Sequence, residues 1–158
     1  MKKKIKNIQI SCDGGAASGK TTGAKMISKK YDLKFLSSGL LYRYASYIIL
    51  KDNPKNIISL LRKKFKNLNY KKLNTLNLHT QKISEHSSSI AKIKKVREIL
   101  KFYQIEFSKK NKNCCIEGRD ISTKILPNSD LKFFFKCNID IASKRRYEEL
   151  KKKDTNIK

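Results

Sequence analysis

The sequence predicts an α/β fold, with a parallel sheet of about four strands flanked by helices. Three observations carry the prediction. An alternating stretch from Ile8 to Cys12 runs directly into a glycine-rich turn and then into a helical pattern. Strand-like and helical stretches then take turns along the chain, which is the pattern of a parallel sheet with right-handed crossovers. No apolar run is long enough to span a membrane, so the apolar residues belong to a buried core.

The first strand carries Ile8, Ile10 and Cys12 in alternation. Behind it stands G-x-x-x-x-G-K-T, with Gly14, Gly19, Lys20 and Thr21 at the motif's spacing. Ala24, Met26 and Ile27 follow among lysines and read as a helix ending near Tyr31. Strand, glycine loop and helix together distinguish a phosphate-binding loop from a glycine turn followed by a surface lysine. The prediction therefore narrows to a three-layer P-loop NTPase fold. Glycines let the loop turn its N–H groups inward around phosphate oxygens. The helix behind it presents unpaired N–H groups and the positive end of its dipole. Gly14, Gly15, Ala16, Ala17, Ser18, Gly19, Lys20, Thr21 and Thr22 are the candidate ATP-binding residues. Lys20 is placed to reach the β- and γ-phosphates, and the Thr21 hydroxyl to ligate Mg²⁺.

The remaining elements follow in order. Leu33 to Leu36 is a short strand, which Ser37-Ser38-Gly39 breaks before capping a helix. That helix has Leu40, Leu41, Tyr44, Tyr47 and Ile48 at helical spacing and ends at Asp52-Asn53-Pro54. Asn56 to Phe65 reads as a helix. Lys66 to Asn77 is polar and Asn-rich, and reads as loop or a small irregular insertion. Leu78 to Ile93 is partly helical, with His86-Ser87-Ser88-Ser89 expected to break or cap it. Lys95 to Lys109 is the clearest amphipathic helix, with Val96, Ile99, Leu100, Tyr103 and Phe107 on one core-facing stripe. Asn113 to Ile116 is a buried strand, Leu131 to Cys137 a Phe-rich strand, and Asp140 to Lys153 a final helix.

Composition narrows the class further. A chain of 158 residues, 39% hydrophobic and 32% charged, suits one globular domain with a modest core. Met1-Lys2-Lys3-Lys4 looks like the start of a secretion signal, but Lys6, Asn7 and Gln9 interrupt the apolar run behind it and Asp13 stops it. Cys12, Cys114, Cys115 and Cys137 form no C-x-x-C pair and sit in strands or at strand ends, where cysteine acts as a small hydrophobe. A reducing, cytoplasmic setting is the expectation. The net charge of +25 invites a nucleic-acid partner. Against that, the lysines are scattered rather than gathered into a stripe. Lys, Ile and Asn also share A/T-rich codons, and a small anion such as a nucleotide suits the charge equally well.

Glu117 follows an apolar strand, the position at which an acid sits beside Mg²⁺ in a P-loop sheet. A local hydrogen bond at a strand end is the alternative. Several arginines stand out among the lysines: Arg43, Arg97, Arg119 and Arg145-Arg146. The planar guanidinium suits bidentate phosphate and base contacts. Arg119, between Gly118 and Asp120 at a strand end, lies where ligands bind in such sheets.

These residues resemble the bacterial cytidylate kinases, a P-loop nucleoside monophosphate kinase family. The likeness runs through Asp13 to Thr22, Ser38-Gly39-Leu40-Leu41-Tyr42-Arg43, Thr80, the Ser88…Ile90-Ala91…Val96-Arg97-Glu98 run, Gly118-Arg119-Asp120 and Lys144-Arg145-Arg146. It implies transfer of the γ-phosphoryl of ATP to CMP or dCMP with Mg²⁺. It also implies that Lys20, Arg119 and Arg145 are catalytic, Arg145 at the start of a mobile lid whose helix begins in 140–158. Ser38, Arg43, Ser88, Arg97, Arg119 and Asp120 would bind the acceptor: Arg43 and Arg119 at its phosphate, and Ser88, Arg97 and Asp120 at cytosine. Thr21 and Glu117 would lie at the metal. The expected organisation is one kinase-like domain over 1–158 with a small helical acceptor-binding insertion at 44–93. The expected partners are nucleotides and no membrane, in a monomer with a sheet edge open to association.

The chain departs from the family pattern at Ser37, where the family has an acid, and at His79, where it usually has an arginine. The stretch from Arg43 to His79 is short, so the small antiparallel sheet of the acceptor region is expected to be reduced. Family members also continue past the lid helix, with further arginines, an acid at the acceptor's ribose and a last strand and helix. A fragment, an edge covered by a partner, or a degenerate enzyme are the expectations this raises. Two rival functions therefore stand beside the kinase: an inactive or weakly active nucleotide-binding module, and a basic nucleic-acid-binding protein.

Overall fold

Four parallel strands form one sheet in the order β2-β3-β1-β4: β1 (Gln9–Gly14), β2 (Lys34–Ser37), β3 (Cys114–Gly118) and β4 (Leu131–Phe135). The computed structural model describes residues 7–151, as two compact units: residues 7–37 with 108–151, and residues 38–107. The sheet belongs to the first unit. Helices flank the sheet, as predicted, and none among the described residues is long and apolar enough to cross a membrane.

Alternation explains the central strand. Ile10 and Cys12 lie in one buried cluster with Ala24, Leu33 and Cys115, closed by Ile8, Ile27, Phe35 and Phe135. The opposite face of β1 holds Ser11, whose hydroxyl lies 2.8 Å from the Ser129 hydroxyl. Helix α1 (Lys20–Tyr31) covers the apolar cluster. It ends at Asp32, which is left-handed (φ 53°), and the N–H groups of Asp32 and Leu33 both reach Ser28 O. That tight return sends the chain straight into β2.

Three of the cysteines, Cys12, Cys114 and Cys115, are fully buried, and all four are free thiols. Cys12 and Cys115 sit with Sγ atoms 3.7 Å apart. Their hydrogen bond, together with burial, raises the Cys12 pKa, and burial pushes Cys114 up to about 12. The Cys12 and Cys114 thiols stay protonated, whereas the hydrogen bond from Cys12 holds Cys115 below the ordinary thiol value; all three act as core side chains.

The second unit is helical: α2 (Ser38–Asp52), α3 (Ile57–Lys66), a 3₁₀ turn (Tyr70–Thr75), α4 (Gln81–Ile90) and most of α5 (Lys94–Lys110). No strand occurs there among the described residues. Asn56 caps α3 by accepting from Ser59 N, and Thr80 caps α4 by accepting from Ile83 N. Phe65 lies between the rings of Tyr44 and Tyr103 at 5.7 Å from each, and the Tyr103 hydroxyl donates to Leu68 O.

Several local expectations are corrected. The short strand does stop at Ser37 as expected, but Ser38 and Gly39 lie inside α2 rather than ahead of it, because the helix starts at Ser38 directly after β2. His86 to Ser89 lie inside α4, and the chain breaks at 91–93 instead. Ser87 and Ser88 donate to Ser84 O and Ser89 donates to Glu85 O, so the hydroxyls are satisfied on the preceding turn and the helix continues. The Phe-rich strand stops at Phe135, leaving Cys137 in the connection to α6 (Ile139–Lys151). Residues 152–158 of the expected lid segment lie outside the described residues. In the first unit, β4 pairs with β1 alone among the described residues, and its Leu131, Phe133 and Phe134 are 45%, 40% and 67% exposed.

Candidate active site

The glycine loop is shaped by what lies beneath it. A Cβ on Gly14 would come within 2.6 Å of Phe135 O, so only glycine lets the end of β1 pass that close to β4. Gly19 is left-handed (φ 83°) and caps α1 with no side chain, and Ala17 is also left-handed (φ 53°). Ser18 Oγ donates to Gly15 O across the loop at 3.0 Å. Gly15, Ala16, Gly19, Thr21 and Thr22 are exposed, while Ala17, Ser18 and Lys20 are half-buried. The amino end of α1 thus presents its first N–H groups toward the loop without a side-chain cap, an arrangement that favours an anion.

Lys20 is held by one acid. Its Nζ donates to Glu117 Oε2 at 2.5 Å, and the two side chains are 13% and 3% exposed. Thr21 Oγ1 donates to Glu117 Oε1 at 3.3 Å, and the Ser37 hydroxyl donates to the same oxygen. Glu117 belongs to β3 itself rather than following it. Parallel register sets it opposite Cys12 on β1 and Ser37 on β2. Three neighbouring strands therefore bring one carboxylate, two hydroxyls and one ammonium together at their carboxyl ends. The oxygens are hard donors of the type that hold Mg²⁺ through one carboxylate plus substrate phosphates. No group of three or more His, Cys, Asp or Glu side chains able to hold a metal occurs among the described residues.

The turn after β3 carries Arg119 and Asp120, both exposed, and then a π-helical turn at Ile121–Ile125. Asp13, the residue before the first loop glycine, is buried. Its Oδ1 accepts from Ile121 N at 2.7 Å and its Oδ2 from Ser122 N at 2.8 Å. Arg145 is exposed on α6 and its Nη1 lies 3.7 Å from Cys137 Sγ.

The other predicted residues lie in the second unit. Ser38 is buried at the start of α2. Arg43, one turn further on, has its Nη1 2.5 Å from His79 Nδ1. A guanidinium only donates, so this His79 nitrogen is the acceptor. Ser88 lies near the end of α4, with its hydroxyl on Ser84 O. Arg97 is in the first turn of α5, donating to Ala91 O at 3.4 Å. Ser88 and Arg97 thus flank the break between these two helices.

Reading by motif missed Asp13 and Ser37 as site residues. An acid immediately before the first glycine is a visible signal. A serine at a strand end is not, because hydroxyls are too common to single one out.

A parallel sheet whose first strand feeds a glycine loop and helix, with the loop lysine on a buried acid of the next strand, defines a P-loop nucleotide-binding protein. The family model described as cytidylate kinase matches residues 10–158. The chain belongs to the cytidylate kinase family. It is 37% identical over 154 residues to the cytidylate kinase of Bartonella tribocorum, covering 94% of this chain and 70% of that one. It is 37% identical over 152 residues to that of Rickettsia canadensis (93% and 67%) and 34% identical over 157 residues to that of Lactococcus lactis subsp. lactis (92% and 71%).

Proposed function

We propose that the protein phosphorylates CMP and dCMP to the diphosphates, using ATP with Mg²⁺. The observation that carries this reading is the Lys20–Glu117–Thr21–Ser37 cluster beneath an uncapped helix end, in a chain of this family. In the proposed mechanism the loop N–H groups and the amino end of α1 bind the ATP phosphates. Lys20 leaves Glu117 to meet the β- and γ-phosphates. Thr21 and Glu117 would hold Mg²⁺, which when bound offsets negative charge on the phosphates. The transfer needs little covalent help from the protein, only in-line alignment and fixed cations around the spreading charge.

On the acceptor side, Arg43 and Arg119 bind the monophosphate. Ser38 lies at the acceptor, and Ser88, Arg97 and Asp120 read the base. Cytosine offers an amino donor to a carboxylate, and acceptors at N3 and O2 to an arginine. Uracil reverses the groups at positions 3 and 4 and fits this set less well. Arg145 closes over the transferring phosphoryl and helps exclude water.

A coupled assay for ADP release with CMP, dCMP, UMP and AMP tests the reading. Turnover that depends on CMP or dCMP is expected. ATP binding without acceptor-dependent turnover would reduce the protein to a nucleotide-binding module. Salt-steep RNA or DNA affinity indifferent to ATP would favour the nucleic-acid alternative.

A further inference from the structure

Asp13 has no role in the reading above, yet it is 3% exposed and both of its carboxylate oxygens are used. Its partners are not residues of its own loop. They are the peptide N–H groups of Ile121 and Ser122, the two residues after Arg119-Asp120 and more than a hundred positions away in sequence. Register explains the reach: Asp13 lies opposite Gly118 on the neighbouring strand, so the chain leaving β3 passes directly over it. The N–H groups it takes are the first two of the turn at Ile121–Ile125, which have no earlier carbonyl in that turn to bond. A carboxylate there makes two charge-assisted hydrogen bonds, shorter and stronger than neutral ones. The same residue continues into Gly14, so one peptide link joins this anchor to the phosphate loop.

We propose that Asp13 is a positioning residue for the acceptor, anchoring the turn that carries Arg119 and Asp120 to the stem of the phosphate loop. It touches neither nucleotide. It fixes where the acceptor's arginine and base-reading acid stand relative to the donor's loop. A displacement of one ångström at such a point is enough to degrade transfer. The inference rests on the proposed acceptor roles of Arg119 and Asp120.

Asp13→Ala and Asp13→Asn test it, each examined by kinetics with ATP and CMP, by equilibrium CMP binding, and by amide hydrogen exchange. In the alanine variant the Ile121 and Ser122 amides should exchange about tenfold faster or more. The KM for CMP should rise about tenfold and discrimination against UMP should fall, while the KM for ATP changes by less than about twofold. Asn keeps one acceptor oxygen, so it should lie between wild type and Ala, and it serves if the alanine variant does not fold. An unchanged CMP KM in a folded variant overturns the inference. Parallel loss of ATP and CMP affinity overturns it too, because Asp13 would then be shaping the phosphate loop. If the wild type neither binds CMP nor turns it over, the functional reading has failed and this inference fails with it.

Discussion

Replacing Lys20 by Met separates what the loop lysine does for stability from what it does for turnover. The substitution keeps most of the apolar stem and removes the ammonium. Glu117 would then remain 3% exposed and charged, having lost a partner at 2.5 Å. Removing one member of a buried pair costs about 3–5 kcal/mol. Glu117 keeps its hydrogen bonds from Ser37 and Thr21, which places the loss near the lower end, about 3 kcal/mol. For a chain of this size each kcal/mol lowers Tm by roughly 2–4 °C, so the drop should be on the order of 10 °C. That leaves the protein folded, since domains hold about 5–15 kcal/mol. Adding Glu117→Gln removes the stranded charge and should restore most of the lost stability. Urea denaturation of the wild type, both single variants and the double variant measures the coupling. Turnover with CMP should fall by about 10²–10³ or more in Lys20→Met whatever its Tm, because a fixed cation at the transferred phosphoryl is gone. Wild-type stability together with zero coupling would refute the pair. Wild-type turnover would refute the role of the lysine.

Three further outcomes follow from the same geometry. Asp120→Ala should lower the preference for CMP over UMP by about tenfold, the low end for an exposed base contact, and an unchanged ratio of kcat/KM values would exclude it from base reading. Gly23→Ala would place a Cβ 2.5 and 2.6 Å from Cε1 and Cζ of the Phe135 ring. The far end of the ring must move, a cost that opposes the ~1 kcal/mol alanine gains over glycine inside a helix, so by urea midpoints Gly23→Ala should stabilise a Phe135→Leu chain more than it does the wild type; equal shifts in the two chains would refute the contact. Cys114 titrates at 9.0 when unperturbed and at about 12 when buried, so between these values the unfolded chain loses a proton that the folded chain keeps. Stability therefore falls as pH rises through this window, by about 1.4 kcal/mol between pH 8 and pH 10 from this thiol. Cys114→Ala should lose correspondingly less between those pH values; equal losses in the two chains would contradict the assignment.

The parts of the fold that sequence discloses are those governed by local rules. Ile8, Ile10 and Cys12 alternate because one face of β1 packs on the Ala24–Leu33 cluster, and alternation is visible without knowing the partner. The loop is legible because phosphate binding restricts residue type at fixed spacing. Local rules misled at His86 to Ser89, where serine's preference for turns suggested a break. The hydroxyls instead bond to carbonyls of the preceding turn, and Thr80 supplies the cap that starts the helix early enough to include them.

What sequence withholds at the site is the pairing across the sheet. Lys20 and Glu117 are far apart in the chain, as are Ser37 and Glu117, and both contacts exist because β3 lies between β1 and β2. No spacing rule encodes that order. The residues legible from motif are therefore those proposed to face a ligand, since ligand chemistry constrains their type. Asp13 and Ser37 face other protein groups instead, where a peptide N–H or a carboxylate is the partner and many residue types would serve. The Glu117 carboxylate shows both sides at once. Its proposed place near a metal can be read from an acid ending an apolar strand, but its hold on Lys20 follows only from register. A single site residue can thus be found by motif and still have its ligand-free partners fixed by topology.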